Sequence, residues 1–266
     1  MPRVVEINIY PIKSCGRIER ASAVVEPRGL EGDRRYMLVD ENGEFLTQRR
    51  HPRLALLRSF DEGERGFRIE GPEREPLHLP WRWPEGPAVD VKIWRSQVEA
   101  TGVSPEAGEW FSDYLGLACR VVFLAEHQHR AVPNEAAQFD DEVGFADAAP
   151  LLVISEASLA ALNARLPEPM SMRRFRPNLV VTADAPFAED EWKRMRIAAV
   201  ELEIAWASAR CVLTTIDPDT AIPDPRGEPL RTLREFRRGA RGVLFGQNVI
   251  PRKLGTIRVG DSVEVA

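Results

Sequence analysis

The sequence predicts a mostly β fold of the α+β class, with an N-terminal β-barrel-like lobe and a β-rich second lobe carrying a few helices. Three observations predict it. Short alternating or apolar runs bounded by Pro, Gly and Asn recur along the chain, and only three stretches carry helix signals. A polar, period-free stretch, 125–148, separates the first group of runs from the second. The 266 residues suffice for one large or two ordinary domains, and the boundary is expected between 124 and 125, giving units 1–124 and 125–266.

In the first unit, Val4-Val5-Glu6-Ile7-Asn8-Ile9-Tyr10 alternates as a half-buried strand and stops at Pro11. Lys13 and Ser14 follow on a loop. Residues 35–39 and 44–48 read as hairpin arms around Asp40-Glu41-Asn42-Gly43, because Asn-Gly favours positive φ at a turn. Further strands are expected at 54–60 and 89–94. Between 61 and 88, frequent Gly, Pro and Glu without helical period predict surface loops and short edge strands. A helix over Pro105 to Leu115 has Ser104 as N-cap, a first-turn proline, acidic residues behind it and Gly116 past its end. Cys119 to Leu124 reads as a buried strand.

The second unit opens with the apolar strand Leu151-Leu152-Val153-Ile154, after which Ser155 can cap a helix reaching about Arg165. Leu179-Val180-Val181 is another short strand. Val200, Leu202, Ile204 and Trp206 alternate with Glu201, Glu203 and Ala205, a strand with one solvent-facing side that points its end at Arg210-Cys211. A helix at about 229–238 and strands at 243–249 and 256–265 complete the chain.

Composition excludes several classes of function. Hydrophobic residues at 44% and charged residues at 29% match a packed globular protein. A net charge of −5 lacks the basic excess that phosphate counterion release requires, so no nucleic acid is expected as partner. Arg3 and Glu6 interrupt any secretory h-region, and no segment approaches the ~20 apolar residues that span a bilayer. A cytoplasmic protein with no membrane partner is expected. Cys15, Cys119 and Cys211 are odd in number and far apart, which fits neither a disulfide framework nor a structural zinc site.

Local chemistry gives candidates that each have a plainer reading. Arg210 beside Cys211 favours a thiolate, the form that serves as nucleophile or soft metal ligand; a lone cysteine among apolar residues is more often inert core. Lys13 and Ser14 offer an ammonium, a hydroxyl and loop amides to an anionic oxygen, or form a solvated loop. Arg34 and Arg176 each lie in a basic run and could turn a planar guanidinium fork inward, although such runs usually face water. Asp217 and Asp219 in Asp-Pro-Asp-Thr are turn formers or proton carriers. His127 and His129 lack a third ligand nearby, and no hydrolase, Walker, Rossmann or zincin motif occurs.

Four segments in order carry a resemblance: Tyr10-Pro11-Ile12-Lys13-Ser14-Cys15, Gly29-Leu30-Glu31-Gly32-Asp33-Arg34, Phe175-Arg176-Pro177-Asn178, and Arg210-Cys211-Val212-Leu213-Thr214-Thr215-Ile216-Asp217-Pro218-Asp219-Thr220. With Leu244-Phe245-Gly246-Gln247 and Gly255-Thr256-Ile257-Arg258-Val259-Gly260-Asp261 near the end, the chain resembles MOSC proteins that carry the N-terminal MOSC β-barrel domain. That family includes the mitochondrial amidoxime-reducing components and their bacterial relatives.

The resemblance implies a molybdenum cofactor (Mo-molybdopterin) lying between the two units, with Cys211 as metal ligand and as a catalytic residue. It implies a cofactor site formed by Lys13, Ser14, Arg34, Ser155, Arg176, Asn178 and Arg210, with Asp217 as a second catalytic candidate, delivering a proton. The implied activity is reduction of N-hydroxylated compounds by oxygen-atom removal. Electrons are expected from a separate donor protein of the ferredoxin, flavin reductase or cytochrome type, since no cysteine follows Cys211 to hold a cluster. MOSC domains also occur in molybdenum-cofactor sulfurases, so a cofactor carrier or sulfur-transfer protein is the competing expectation.

Overall fold

Sheet pairing draws the two ends of the chain together in the computed structural model, which describes residues 1–266. The largest sheet has nine strands. Its order runs Val263–Val265, Arg194–Ile197, Val200–Arg210, Gly242–Lys253, Leu151–Ser155, Leu179–Val181, Val4–Ile9, Ile18–Arg20, with Arg238–Gly239 paired to the start of Gly242–Lys253. Every pairing in it is antiparallel except Leu151–Ser155 with Leu179–Val181, which are parallel. A parallel pair needs a crossover, here containing helix α2 (Glu156–Asn163). Sheet pairing thus crosses the 124/125 position, and so does the main apolar core: Ile7, Phe67 and Phe111 share it with Leu179 and Val249. The class is mostly β with three α-helices.

A four-stranded sheet of Tyr36–Val39, Arg120–Phe123, Ser96–Gly102 and Ala88–Ile93 lies beside it, with two three-stranded sheets elsewhere. The sequence reading has Ala88–Ile93 but not its partner Ser96–Gly102. The two are joined by the tight turn Trp94-Arg95, with Ile93 opposite Ser96. The turn at Asp40–Gly43 forms as expected, the Asp40 carboxylate accepting from the amides of Asn42 and Glu44. Its second arm does not become a strand: after the bridge Val39–Phe45, Arg50 and His51 donate to the Thr47 carbonyl and the chain turns away.

Two other expectations need correction. Residues 54–60 are not one strand, because a 3₁₀ turn at Pro52–Leu56 comes first and the strand is Arg58–Asp61; Pro52 supplies the fixed φ that starts such a turn. Residues 256–265 divide into Gly255–Arg258 and Val263–Val265, with the Asp261 amide closing a turn on the Arg258 carbonyl.

Helix signals transfer well. Helix α1 spans Pro105–Leu115, with the Ser104 hydroxyl accepting from the Ala107 amide and Gly116 in the left-handed conformation that ends a helix. Helix α3 is Leu230–Phe236. Leu179–Val181 is a strand as read. Strand Val200–Arg210 extends beyond the expected 206, and its alternation holds only at its start: the register against Gly242–Lys253 shifts three times. Bulges of this kind re-aim side chains. The last shift, between Ala207 and Ala209, falls at the strand end where Ser208, Ala209, Arg210 and Cys211 border one cleft.

Candidate functional site

The cleft encloses about 780 Å³ of empty space, part of it open to solvent. Of the residues expected to hold a ligand, Lys13, Ser14, Arg34, Arg176, Asn178, Arg210 and Cys211 all border it. They arrive from four places in the sequence. Lys13 and Ser14 follow the Val4–Ile9 strand, Arg34 precedes Tyr36–Val39, Arg176 and Asn178 precede Leu179–Val181, and Arg210 ends Val200–Arg210 with Cys211 directly after it.

Local backbone geometry is unusual here. Ser14, Arg34 and Arg176 have φ of 71°, 48° and 56°, three of only eight non-glycine residues at positive φ. Such conformations cost free energy and persist where surrounding contacts over-determine them. Those contacts are visible. The Asp33 carboxylate accepts from the Tyr10 amide at 2.7 Å and from Arg34 at 2.6 Å, while the Arg34 amide donates back to the Tyr10 carbonyl. The guanidinium groups of Arg34 and Arg176 lie 4.6 and 4.1 Å from the Tyr10 ring centre.

Asn178 is buried, with protein partners on both its side-chain oxygen and its nitrogen. Its side-chain oxygen accepts from Arg34 and from the Leu152 amide, and its nitrogen donates to the Asn8 carbonyl. It therefore positions Arg34 and keeps one amide N–H unused at the edge of the cleft.

Cys211 begins a 3₁₀ turn, Val212–Thr215, with its carbonyl accepting from Thr214. Its sulfur, half-buried, accepts from Arg49 Nε at 3.2 Å. Arg49 also reaches the Asp147 carboxylate at 2.5 Å, and the same carboxylate pairs with Lys13 Nζ. Arg49, Asp147 and the nearby Trp94 escape sequence reasoning. Arg49 sits in a Gln48-Arg49-Arg50 run that reads as solvated surface, and Asp147 lies in the period-free stretch. No local pattern marks either, because the pairing joins residues 98 positions apart. Behind the loop, buried Arg130 donates to the carbonyls of Gly144 and Ala146 and so anchors the backbone that presents Asp147.

Ser155 and Asp217 are not brought into the cleft. Ser155 is fully buried, its hydroxyl capping α2 through the Ser158 amide and donating to the Ser158 hydroxyl, beside the Glu189 carboxylate. That is a helix-start network. The Asp217 carboxylate accepts from the amides of Asp219 and Thr220 and from Arg174 at 2.8 Å. These contacts hold it below the usual carboxylate range against the upward push of burial. A carboxylate bonded inside its own turn is a turn former, and Asp217 is not among the residues that border the cleft. Cys15, inside the first motif, is core: burial pushes its thiol up to about 12.

Cations outnumber anions in the cleft. Lys13, Arg34, Arg49, Arg176 and Arg210 border it, answered by Asp147, with Asp33 beneath Arg34. Burial brings Arg176 and Arg210 down to about 10 and Lys13 down to about 8, Asp147 limiting the fall of Lys13. One Nη of Arg176 and the Nε of Arg210 are buried without any partner. Unmatched buried donors of this sort are costly and call for an anionic acceptor. Lys13 carries its charge below about pH 8 and loses it above. Sulfate, whose own charge is constant over this range, will accordingly bind the cofactor-free protein about tenfold more weakly at pH 9 than at pH 7. Calorimetric titration checks this, and Lys13→Arg will flatten the dependence.

Comparison with known proteins gives consistent results. A family model for the MOSC N-terminal beta barrel domain matches residues 1–118 and one for the MOSC domain matches residues 140–264. Mitochondrial amidoxime-reducing component 1 of Mus musculus is 36% identical over 277 residues, covering 98% of this chain and 81% of that protein. Mitochondrial amidoxime reducing component 2 of Rattus norvegicus is 36% identical over 279 residues, covering 98% and 82%. The component 1 protein of Homo sapiens is 32% identical over 277 residues, again covering 98% and 82%.

Proposed function

Because this chain belongs to the MOSC family with an N-terminal MOSC β-barrel domain, we propose that it is an oxidoreductase that removes oxygen from N-hydroxylated compounds at a molybdenum cofactor. One observation carries the reading. Arg176 and Arg210, each with a buried guanidinium nitrogen that has no protein partner, border the same cleft as the half-buried Cys211 sulfur. That donor set fits a phosphate-bearing pterin whose metal takes a soft thiolate.

Cys211 would ligate the metal, and Lys13, Ser14, Arg34, Arg176 and Arg210 would receive the pterin and phosphate, with Asn178 fixing Arg34. The bound group supplies the two-electron oxygen-atom chemistry. The remaining work falls to the chain. Arg49 Nε holds the Cys211 sulfur in place, Asp147 keeps Arg49 and Lys13 oriented and charged, and Lys13 Nζ holds a proton inside the cleft below about pH 8.

A separate electron-donor protein and a cytoplasmic location belong to the same reading. No helix is long and apolar enough to cross a membrane. The units 1–124 and 125–266 also stand as a proposal, with the cleft bordered by residues of both.

The test is direct. Cofactor-loaded protein given a chemical reductant will convert aromatic amidoximes to amidines. Failure with several N-hydroxylated compounds would overturn the reading, and cyanide-releasable sulfur on such inactive protein would establish the sulfur-transfer alternative in its place.

A further inference from the structure

We propose that the exposed face of Trp94 is the platform for the flat apolar part of the substrate, so that the site selects aromatic amidoximes over small aliphatic N-hydroxy compounds. This rests on the reductase reading above. Trp94 occupies the tight turn between Ala88–Ile93 and Ser96–Gly102 at φ 55°, a position that such turns usually give to Asn or Gly. A tryptophan there needs support from elsewhere. Its indole N–H donates to the Asp147 carboxylate at 3.1 Å, the Arg49 guanidinium lies 4.9 Å from the ring centre, and Phe45 meets it edge-on at 5.1 Å.

Asp147 and Arg49 are cleft residues, and the same Arg49 touches the Cys211 sulfur. A single guanidinium therefore spans the gap between indole and thiol. Despite these contacts, Trp94 remains 50% exposed, and Val212, directly after Cys211, is 54% exposed. Neither side chain lines the cleft itself, but Trp94 is joined to it through Asp147 and Arg49 and Val212 follows Cys211 directly, so exposed apolar surface adjoins the cationic interior. That arrangement suits a molecule with a planar apolar end and a polar N–OH end. Offset stacking on indole rewards an aromatic ring and gives a small aliphatic hydroxylamine nothing comparable.

Steady-state kinetics of the cofactor-loaded enzyme with benzamidoxime and with N-methylhydroxylamine test this in Trp94→Leu and Trp94→Phe. The ratio of kcat/KM for the two probes will fall roughly 3- to 10-fold in Trp94→Leu, mainly through KM for benzamidoxime. Trp94→Phe keeps a ring but loses the bond to Asp147, and it will hold the ratio within about twofold of wild type. Equilibrium dialysis of benzamidoxime onto unreduced protein will show the Kd rising with the KM. A ratio unchanged in Trp94→Leu overturns the platform while leaving the reductase reading intact, as does an equal loss of ratio in both variants, which assigns the effect to Asp147. Wild-type protein of full metal content that turns over neither probe overturns the reductase reading, and the platform falls with it.

Discussion

Replacing Cys211 with serine will remove the molybdenum that wild-type protein carries when expressed in a host able to make the cofactor. It will lower reduction of N-hydroxylated substrates by more than about 100-fold. The expectation follows from ligand chemistry. A thiolate is soft and readily formed beside cations, whereas a serine hydroxyl stays protonated and hard at neutral pH. Loss of a group that merely supports a ligand already costs about 10- to 100-fold in metal affinity or activity, so loss of the ligand itself costs more. The exchange is nearly isosteric and the side chain is only half-buried, so the fold will survive. Elemental mass spectrometry on both proteins reads the metal, and thermal denaturation reads the fold. Undiminished metal in Cys211→Ser would remove Cys211 from the ligand role and leave the cationic cleft as a pterin site alone.

Asp147→Asn will destabilise the protein by about 2–4 kcal/mol at neutral pH. Breaking a buried ion pair by deleting one partner typically costs ~3–5 kcal/mol, and here the carboxylate side chain keeps 36% exposure, which reduces the figure. Lys13 limits the loss further, since its pKa already lies at about 8 and it can release its proton once its partner is gone. The pH dependence has a defined sign. Against the upward push of burial, Lys13 and Arg49 hold the Asp147 carboxyl far below the usual carboxylate range. The stabilisation is thus fully present above the unfolded value, roughly pH 4, and declines as pH falls toward the folded value. Denaturant unfolding at pH 7 and pH 3 will show the gap between wild type and variant narrowing in acid. A gap of the same size at both pH values would mean that the carboxylate's charge contributes little and that its hydrogen bonds to Trp94 and Arg49 carry the effect.

Much of this molecule is legible in its sequence where the relevant physics is local. Ser104, Pro105 and Gly116 define α1 to the residue because capping satisfies nearby backbone groups. Apolar runs locate Val4–Ile9, Leu151–Ser155 and Leu179–Val181 because burial of one or both faces writes itself into consecutive residues. The short motifs identify the family and gather Lys13, Arg34, Arg176 and Cys211 as candidates, and the fold places all four on one cleft.

Other features depend on distance through space. Arg49 reaches the Cys211 sulfur, Asp147 holds Arg49 and Trp94 bonds to Asp147, but each looks like ordinary surface in its own stretch of chain. Asp217 shows the converse, since its motif neighbours Arg210 and Cys211 border the cleft while its own carboxylate closes a turn; the Ser155 hydroxyl likewise closes a helix start. The sequence by itself determined the helices, most strands, the mostly β class, the family and the thiolate candidate, all of which follow from periodicity, capping and residue type. Only the tertiary structure decided which charges meet, because ion pairs between residues 98 and 134 positions apart form when sheets bring distant strand ends together. The register shifts in Val200–Arg210 belong with them, since a bulge depends on the partner strand and leaves no period in its own.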